Sequence, residues 1–312
     1  MVNNTEHLNQ LQRITAIGGG HGLGRLMDSL SFLQKRLVGV VATTDNGGSS
    51  GLLRKHHHCI AWGDIRNCLS QLAGQDLARQ VLNYRFDDQS NLHGHSFGNL
   101  LLYTLDRISA RPLDGIELLS RLLEVKSRVL PMSESPVDLI AETTESLACF
   151  GEVHIDALAH VPRKIALSEN VPATPEVLEH IHQSDLIILG PGSFFTSVLP
   201  PLLVSDIAAA IRMRNPKCIY IDNLLPEQSP AAALSLQQRV DWIESIIGAP
   251  LLDLVISHQP HTQLSVPVLV DSASEPDKPH RHEKYKLRSA LNQATAQLFD
   301  QNRKHPEIGQ DI

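Results

Sequence analysis

The chain has 312 residues, 42% of them hydrophobic and 20% charged, which is enough apolar material for a sizeable core and excludes a disordered protein. Its 27 Lys+Arg against 34 Asp+Glu leave a net charge of −7 and aromatics are only 4%, so it is not a nucleic-acid binder working by bulk charge or by base stacking. Its four cysteines form no C-x-x-C pair, its first ten residues carry no apolar signal core, and no apolar run reaches the roughly 20 residues of a membrane helix, so a soluble cytoplasmic protein with free thiols is expected, with neither membrane nor nucleic acid as partner.

At about 150 residues per domain the length suits two domains or one large α/β domain. Residues 1–11 read as a flexible N-terminal tail. Residues 13–17 read as a short buried strand that runs into Gly18-Gly19-Gly20-His21-Gly22-Leu23-Gly24. Leu23, Met27, Leu30 and Leu33 then follow at helical spacing. Residues 37–42 form a second buried strand, ending at Thr43-Thr44-Asp45 and followed by Asn46-Gly47-Gly48-Ser49-Ser50-Gly51. Strand, glycine loop, helix, strand is the βαβ pattern of a parallel sheet.

The middle of the chain reads as more helical. Asp64 stands where it could cap a helix running to about Leu72, and further helices are expected at 76–84, 98–107 and 116–123. Residues 137–140 and 152–155 read as short strands around a hairpin at 147–151. The α/β alternation then returns: strands at 185–189, 217–221 and 252–256, helices at 204–213 and 235–246, an edge strand at 266–270 and a terminal helix at 283–301. The segment from His305 onward reads as a frayed tail.

Chemistry concentrates in the glycine loops. A glycine turn between a strand and a helix aims backbone N–H groups, backed by the helix dipole, at one point, which makes an anion site. The first loop matches neither G-x-G-x-x-G, since Arg25 stands where the last glycine should be, nor G-x-x-x-x-G-K-[ST], since Arg25 and Leu26 replace the last two positions. Phosphate binding is still favoured over a plain tight turn. Asp45 ends the second strand, where an acid could hold a ribose hydroxyl or a Mg²⁺ beside a diphosphate. The glycines and serines of 46–51 read as a second oxyanion cradle. Gly190-Pro191-Gly192-Ser193-Phe194-Phe195-Thr196-Ser197 is a third loop of this kind, and Asp222-Asn223 belongs to the same rim. Arg66, one turn into its helix, could face a phosphate. The run His56-His57-His58-Cys59 diverges too much to chelate one ion and reads as a solvated loop, and His93 and His95 lack a nearby Cys or acid.

Six collinear motifs carry a resemblance: Gly-Gly-Gly-x-Gly-Leu at 18–23, Asp45 with Gly-Gly-Ser-Ser-Gly at 47–51, Gly-Asp-Ile-Arg-Asn-Cys-Leu at 63–69, Tyr-Arg-Phe at 84–86, Gly-His-Ser-Phe-Gly-Asn-Leu at 94–100, and Gly-Pro-Gly-Ser with Thr-Ser at 190–197. Together they resemble the YvcK-like gluconeogenesis factor family, a relative of the 2-phospho-L-lactate transferase CofD. The resemblance implies a Rossmann-like, three-layer α/β/α fold with a mainly parallel sheet, in one CofD-like domain over 12–302 between terminal tails at 1–11 and 303–312. For the YvcK-like branch it implies a regulatory protein that binds UDP-sugars such as UDP-N-acetylglucosamine and is linked to gluconeogenic growth and cell shape, without established catalysis. For the CofD branch it implies transfer of a phospholactyl group from a guanylyl diphosphate donor with Mg²⁺, Asp45 then being the metal-side residue.

The expected ligand residues are Gly19, Gly20, His21, Gly22, Asp45, Asn46, Gly47, Gly48, Ser49, Ser50, Asp64, Arg66, Asn67, His95, Asn99, Gly192, Ser193, Thr196, Asn223 and Arg281. No cofactor is implied with certainty; Mg²⁺ belongs to the transferase alternative. A nucleotide sugar, a regulatory protein and, by the general frequency of symmetric dimers, a second copy are the expected partners. The sequence departs from the family after the strand at 217–221, where Asp222-Asn223-Leu224-Leu225-Pro226-Glu227-Gln228-Ser229 keeps only Asn223 and the general polarity. At the next rim position Ser257-His258 replaces the usual Asn, and near the C-terminus Arg281-His282-Glu283 replaces Arg-His-Asp. These departures bear on which sugar is bound more than on diphosphate binding.

Overall fold

The strands that read as continuous apolar runs are buried on both faces, as strands in a helix-covered parallel sheet must be. β1 (Ile14–Gly18), β2 (Leu37–Val41), β7 (Leu186–Leu189) and β9 (Leu254–Ser257) are buried at every position. The computed structural model describes residues 6–300, apart from 88, 90, 272 and 273. Among these, β3 (Arg128–Pro131), β8 (Lys217–Ile221) and β10 (Val268–Val270) join them in a seven-stranded sheet of order β10-β9-β8-β7-β1-β2-β3. Every pairing in it is parallel.

Helices flank this sheet in the expected α/β/α arrangement. The first half supplies α1 (Glu6–Gln10), α2 (Gly20–Ser29), α3 (Gly48–His56), α4 (Gly63–Leu72), α5 (Asp76–Asn83), α6 (Phe97–Ile108) and α7 (Pro112–Leu122). The second supplies α8 (Glu152–Asp156), α9 (Pro175–Ile181), α10 (Leu199–Leu203), α11 (Ser205–Arg214), α12 (Leu236–Ile247) and α13 (Lys284–Asp300). A small antiparallel sheet, β4 (Leu139–Glu142), β5 (Ala148–Phe150) and β6 (Lys164–Leu167), leaves the main sheet after β3. A two-stranded ribbon, β11 (Ser274–Glu275) and β12 (Lys278–His282), precedes α13.

Strand order reverses between β1 and β7: the chain winds outward from β1 to β2 and β3, then returns to β7 and winds the other way. In open parallel sheets that reversal leaves a crevice at the carboxyl ends of the two strands, where ligands bind. Close helix packing sets the loops there. A Cβ on Gly39 of β2 would lie 2.2 Å from the Met27 sulfur, so only glycine lets α2 lie this near the sheet. Opposite, Phe194, Phe195 and Tyr220 fill the core as fully buried rings, and Phe195 meets Trp242 edge-on at 5.4 Å.

Several expectations need correction. Residues 152–155 are the helix α8, not a strand; the hairpin partner of β4 is β5, with Ile140 opposite Phe150. Residues 48–51, part of the stretch read as a loop at 46–51, open the helix α3: its two glycines and two serines have poor helix propensity, and burial of Ser49, Ser50, Gly51 and Leu53 holds it instead. Within the segment read as a flexible tail, Glu6–Gln10 is helical. There the Asn292 side-chain oxygen accepts the His7 and Leu8 N–H groups at 3.0 and 3.2 Å, and Leu8 is fully buried. One apolar residue among polar ones gives no periodicity to read. β3, β6 and α9 are further elements beyond the sequence reading, each only four to seven residues long. The tail expected at 303–312 lies outside the described residues. Among the described residues, no single helix is long and apolar enough to cross a membrane. All four cysteines are free.

Candidate functional site

At the strand-order reversal the β1–α2 and β7 loops are pressed together. Gly190 N–H donates to the Ile17 carbonyl at 2.8 Å, and a Cβ on Gly22 would sit 1.9 Å from the Pro191 oxygen. Gly20, at φ +57°, takes the left-handed conformation that lets the chain turn straight from strand into helix. The β8 end locks the same loop. Asn223 donates to the Gly192 carbonyl at 2.8 Å and accepts its N–H at 3.0 Å. Glu227 accepts the Phe194 N–H at 3.1 Å and the Asn223 amide at 3.1 Å.

Beside these glycines opens a cavity of about 560 Å³, within the usual range of small-molecule sites. It is walled by His21, Gly22, Arg25, Pro191 and Gly192, and by Lys278, His280, Arg281 and His282 of the ribbon. Besides the glycine and proline backbone and the Gln71 and Asn223 amides, its lining is cationic or imidazole side chains. Glu275 partners both arginines, pairing with Arg25 and standing 3.6 Å from Arg281 Nε. Burial, then the Arg66 and Arg281 charges, lower the His21 pKa. His282 is 6% exposed, and burial lowers its pKa to about 4, so it is neutral at pH 7. The arrangement can hold a multiply charged anion between backbone N–H groups and a guanidinium fork.

The β2 end is built differently. Asp45 accepts the Gly47 N–H at 2.7 Å, closing a local turn. Asn46 accepts the Val153 N–H at 3.1 Å and so ties the loop to α8. Ser49 Oγ accepts the Ser96 N–H at 3.0 Å, and Ser50 Oγ accepts the Gly63 N–H at 3.0 Å and the Asn99 amide at 3.4 Å. Both hydroxyls are buried. Arg54 holds the loop from behind, donating to the Thr44 and Asp45 carbonyls at 3.2 Å each and to the Val137 carbonyl at 2.9 Å.

Between the two loops stand carboxylates. Asp64 does not cap its own helix; it lies against Gly19 and accepts the Gly20 N–H at the start of α2. Burial, and next the Asp45 charge, push its pKa up to about 7 against the pull of Gly20, Arg66 and Asn67. Glu152 is driven further, to about 9, first by burial and then by Asp64, Asp45 and Asp156. Ser193 and Thr196 donate to Asp156, each at 3.3 Å. Arg66 is buried and reaches the Asn83 side chain, its Nε left without a partner. Asn67 Oδ1, Asn99 Oδ1, His95 Nδ1 and Glu152 Oε2 are likewise buried and unpartnered, which marks polar capacity that the fold itself does not use.

The structure thus brings Gly19, Gly20, His21, Gly22, Gly192, Ser193, Asn223 and Arg281 to one crevice. Asp45, Asp64 and Glu152 gather beside it. It commits Asn46, Ser49, Ser50 and Thr196 to contacts within the fold, and it places Gly47 and Gly48 at the start of α3. A Cβ on Gly48 would be 3.9 Å from Arg85. His95 sits in the segment antiparallel to Arg85. The sequence reading lacks Arg25, Glu152, Asp156, Glu227 and the ribbon residues Lys278 and His280. Only Arg25, directly after the glycine loop, carried a local signal. Glu152 and Asp156 arrive on a five-residue helix that no periodicity marks. Among the described residues no three His, Cys, Asp or Glu side chains come close enough to hold a metal ion.

Comparison with known proteins places this geometry. The profile of the family described as 2-phospho-L-lactate transferase CofD matches residues 14–299. A Pasteurella multocida protein named "Putative gluconeogenesis factor" is 45% identical over 94% of this chain and 97% of its own length. A Yersinia pestis protein of the same name is 47% identical over 93% and 96%. A crystal structure from Bacillus halodurans, described as a member of the UPF0052 family, superposes with a TM-score of 0.83 at 28% identity. It covers 90% of this chain and 98% of the Bacillus chain.

Proposed function

The chain belongs to the CofD family, and from that premise we propose that it is a nucleotide-sugar-binding regulatory protein, taking a UDP-sugar such as UDP-N-acetylglucosamine. We place it with the gluconeogenesis factors, in gluconeogenic growth and in cell shape. The observation that carries this reading is the basic cavity against the fused glycine turns. Gly22, Pro191 and Gly192 line it with backbone, and Arg25 and Arg281 bring positive charge to the same cavity. In this reading a diphosphate takes over from Glu275 as the partner of the two arginines. Asn223 keeps Gly192 in place, and Asp64 holds the start of α2 in shape. Asn46, Ser49 and Ser50 support the rim from below rather than touching the ligand.

A second reading, a CofD-type transferase, draws support from the carboxylates. A Glu152 carboxyl raised to about 9 and an Asp64 raised to about 7 are placed to give and take protons near neutral pH.

The test is calorimetric titration with UDP-N-acetylglucosamine, UDP, GDP and ADP-glucose, each with and without Mg²⁺, followed by mass analysis of the recovered ligand. A UDP-sugar that binds and is recovered intact supports the regulatory reading. A guanosine diphosphate preference, or a ligand cleaved with Mg²⁺, supports the transferase. Binding of none of them overturns both.

A further inference from the structure

A second cavity, of about 580 Å³, adjoins the basic one. Gly192, Asn223 and His280 stand in the walls of both, so the two are halves of one cleft folded around the Gly192 turn. Their linings are opposite in chemistry. No arginine or lysine lines the second half; besides the shared Asn223 and His280, its polar groups are the Asp156 and Glu227 carboxylates, the Ser193 and Ser229 hydroxyls and the Gln228 amide. Leu224 to Ser229 form a continuous stretch of its lining.

The two acids there play different parts. Glu227 is spent: besides the Phe194 and Asn223 groups it accepts the Ser229 hydroxyl at 2.9 Å. It fixes this stretch to the Gly192 turn. Asp156 is held by hydroxyls alone, those of Ser193 and Thr196. A carboxylate already solvated by hydroxyl donors accepts further ones in the same way, two at a time from a vicinal diol. Gln228 is exposed at the mouth, where its amide can both give and accept. Leu225, 46% exposed beside Pro226, offers an apolar patch for the C–H face of a ring. A phosphate is repelled from this half by two carboxylates and drawn to the other by two arginines. A neutral polyhydroxylated ring meets neither penalty.

We propose that this second half of the cleft is the subsite for the sugar of the nucleotide sugar, with Asp156 and Gln228 reading its hydroxyls and the diphosphate lying over Gly22 and Gly192. The proposal rests on the nucleotide-sugar reading above and adds the direction in which the ligand lies and the residues that tell one sugar from another.

The experiment uses the full chain and its Gln228→Ala and Asp156→Asn variants, titrated with UDP, UDP-glucose and UDP-N-acetylglucosamine. Gln228 is exposed and Asp156→Asn conserves shape, and the melting temperature of each variant checks folding. Wild type is expected to bind one UDP-sugar about tenfold more tightly than UDP, the worth of one or two net hydrogen bonds. Each variant is expected to lose that margin while its UDP affinity stays unchanged. Equal weakening of UDP and UDP-sugar would put the nucleoside in this half and overturn the assignment. So would an undiminished margin in both variants, or a wild type that binds UDP and the two sugars alike. If wild type binds none of the three, the nucleotide-sugar reading itself falls.

Discussion

The two glycine-rich loops, residues 18–24 after β1 and 46–51 after β2, read alike in sequence and are built for different work. Both follow a buried strand, both open a helix, and both are dense in small residues. In the second, the side chains turn inward: Asn46, Ser49 and Ser50 each satisfy a partner elsewhere in the fold. In the first, the glycines have no side chains to spend, and Gly22 lies against the Pro191 carbonyl beside a basic cavity. A glycine–serine loop therefore indicates an anion site only where its side chains are not committed to neighbouring elements. The contrast assigns ligand affinity to the first loop and stability to the second, and each substitution below is a way to break it.

The largest effect is expected at Gly22. An alanine Cβ at 1.9 Å from the Pro191 oxygen must pry the two turns apart. Gly22→Ala should weaken UDP-sugar binding by about 100-fold or more, roughly 2.7 kcal/mol. It should also cost about 1–3 kcal/mol of stability, as overpacking does. Calorimetry and urea unfolding measure the two separately. Binding that survives in a folded variant would remove the first loop from the site.

Arg281→Ala comes next. Arg281 stands on the ribbon wall and makes only long contacts, 3.6 Å to Glu275 and 3.5 Å to Gln71, so little folding energy rests on it. Affinity should fall about tenfold, near 1.4 kcal/mol. Arg281→Lys should restore only part of it, because an ammonium lacks the planar fork that matches a phosphate. An affinity unchanged in Arg281→Ala would leave Arg25 as the cation that matters.

Ser50→Ala is expected to behave in the opposite way. It leaves the Gly63 N–H and the Asn99 amide buried without their acceptor, at a cost of about 1 kcal/mol or somewhat more. Ligand affinity should stay within about threefold. A tenfold loss of affinity with unchanged unfolding would mean that the second loop is a phosphate cradle after all.

These differences also explain what could be read without the structure. The parallel sheet was legible because fully buried strands such as Leu186–Leu189 are unbroken apolar runs, and the rim was legible because glycine turns follow them directly. The direction of a side chain was not. Nothing around Ser49 and Ser50 shows that they face Ser96 and Gly63, residues 47 and 13 positions away. α8 was misread because Glu152–Asp156 is too short for a period of 3.6 to separate from a period of 2. Its two acids lie beside the β2 loop, to which the Asn46–Val153 hydrogen bond ties α8, a long-range contact with no local signature. The ribbon's Arg281 was found through a motif, while Lys278 and His280, which share its wall, fall in a stretch with no motif at all.

The smallest effect expected is a pH-dependent one, and it tests whether the carboxylates between the loops are held under strain. Glu152 has a folded-state pKa of about 9 against an ordinary 4.5, raised by burial and by Asp64, Asp45 and Asp156. A group whose pKa rises on folding favours the folded state at low pH, and that contribution is lost as pH rises toward the folded value. Stability should therefore decline between about pH 4.5 and 9, and Asp64, raised to about 7, adds to the lower part of that range. Glu152→Gln removes the charge and keeps the shape. It should raise the melting temperature of the ligand-free protein by roughly 3 °C at pH 8, with the gain shrinking toward zero as the pH falls below about 4, where the carboxyl is protonated folded or unfolded. A gain of equal size at both pH values would trace the effect to packing. A loss at pH 8 would show that the ionised carboxylate is itself partnered in the fold, so that the acids beside the basic cavity are a settled ion network rather than a strained one.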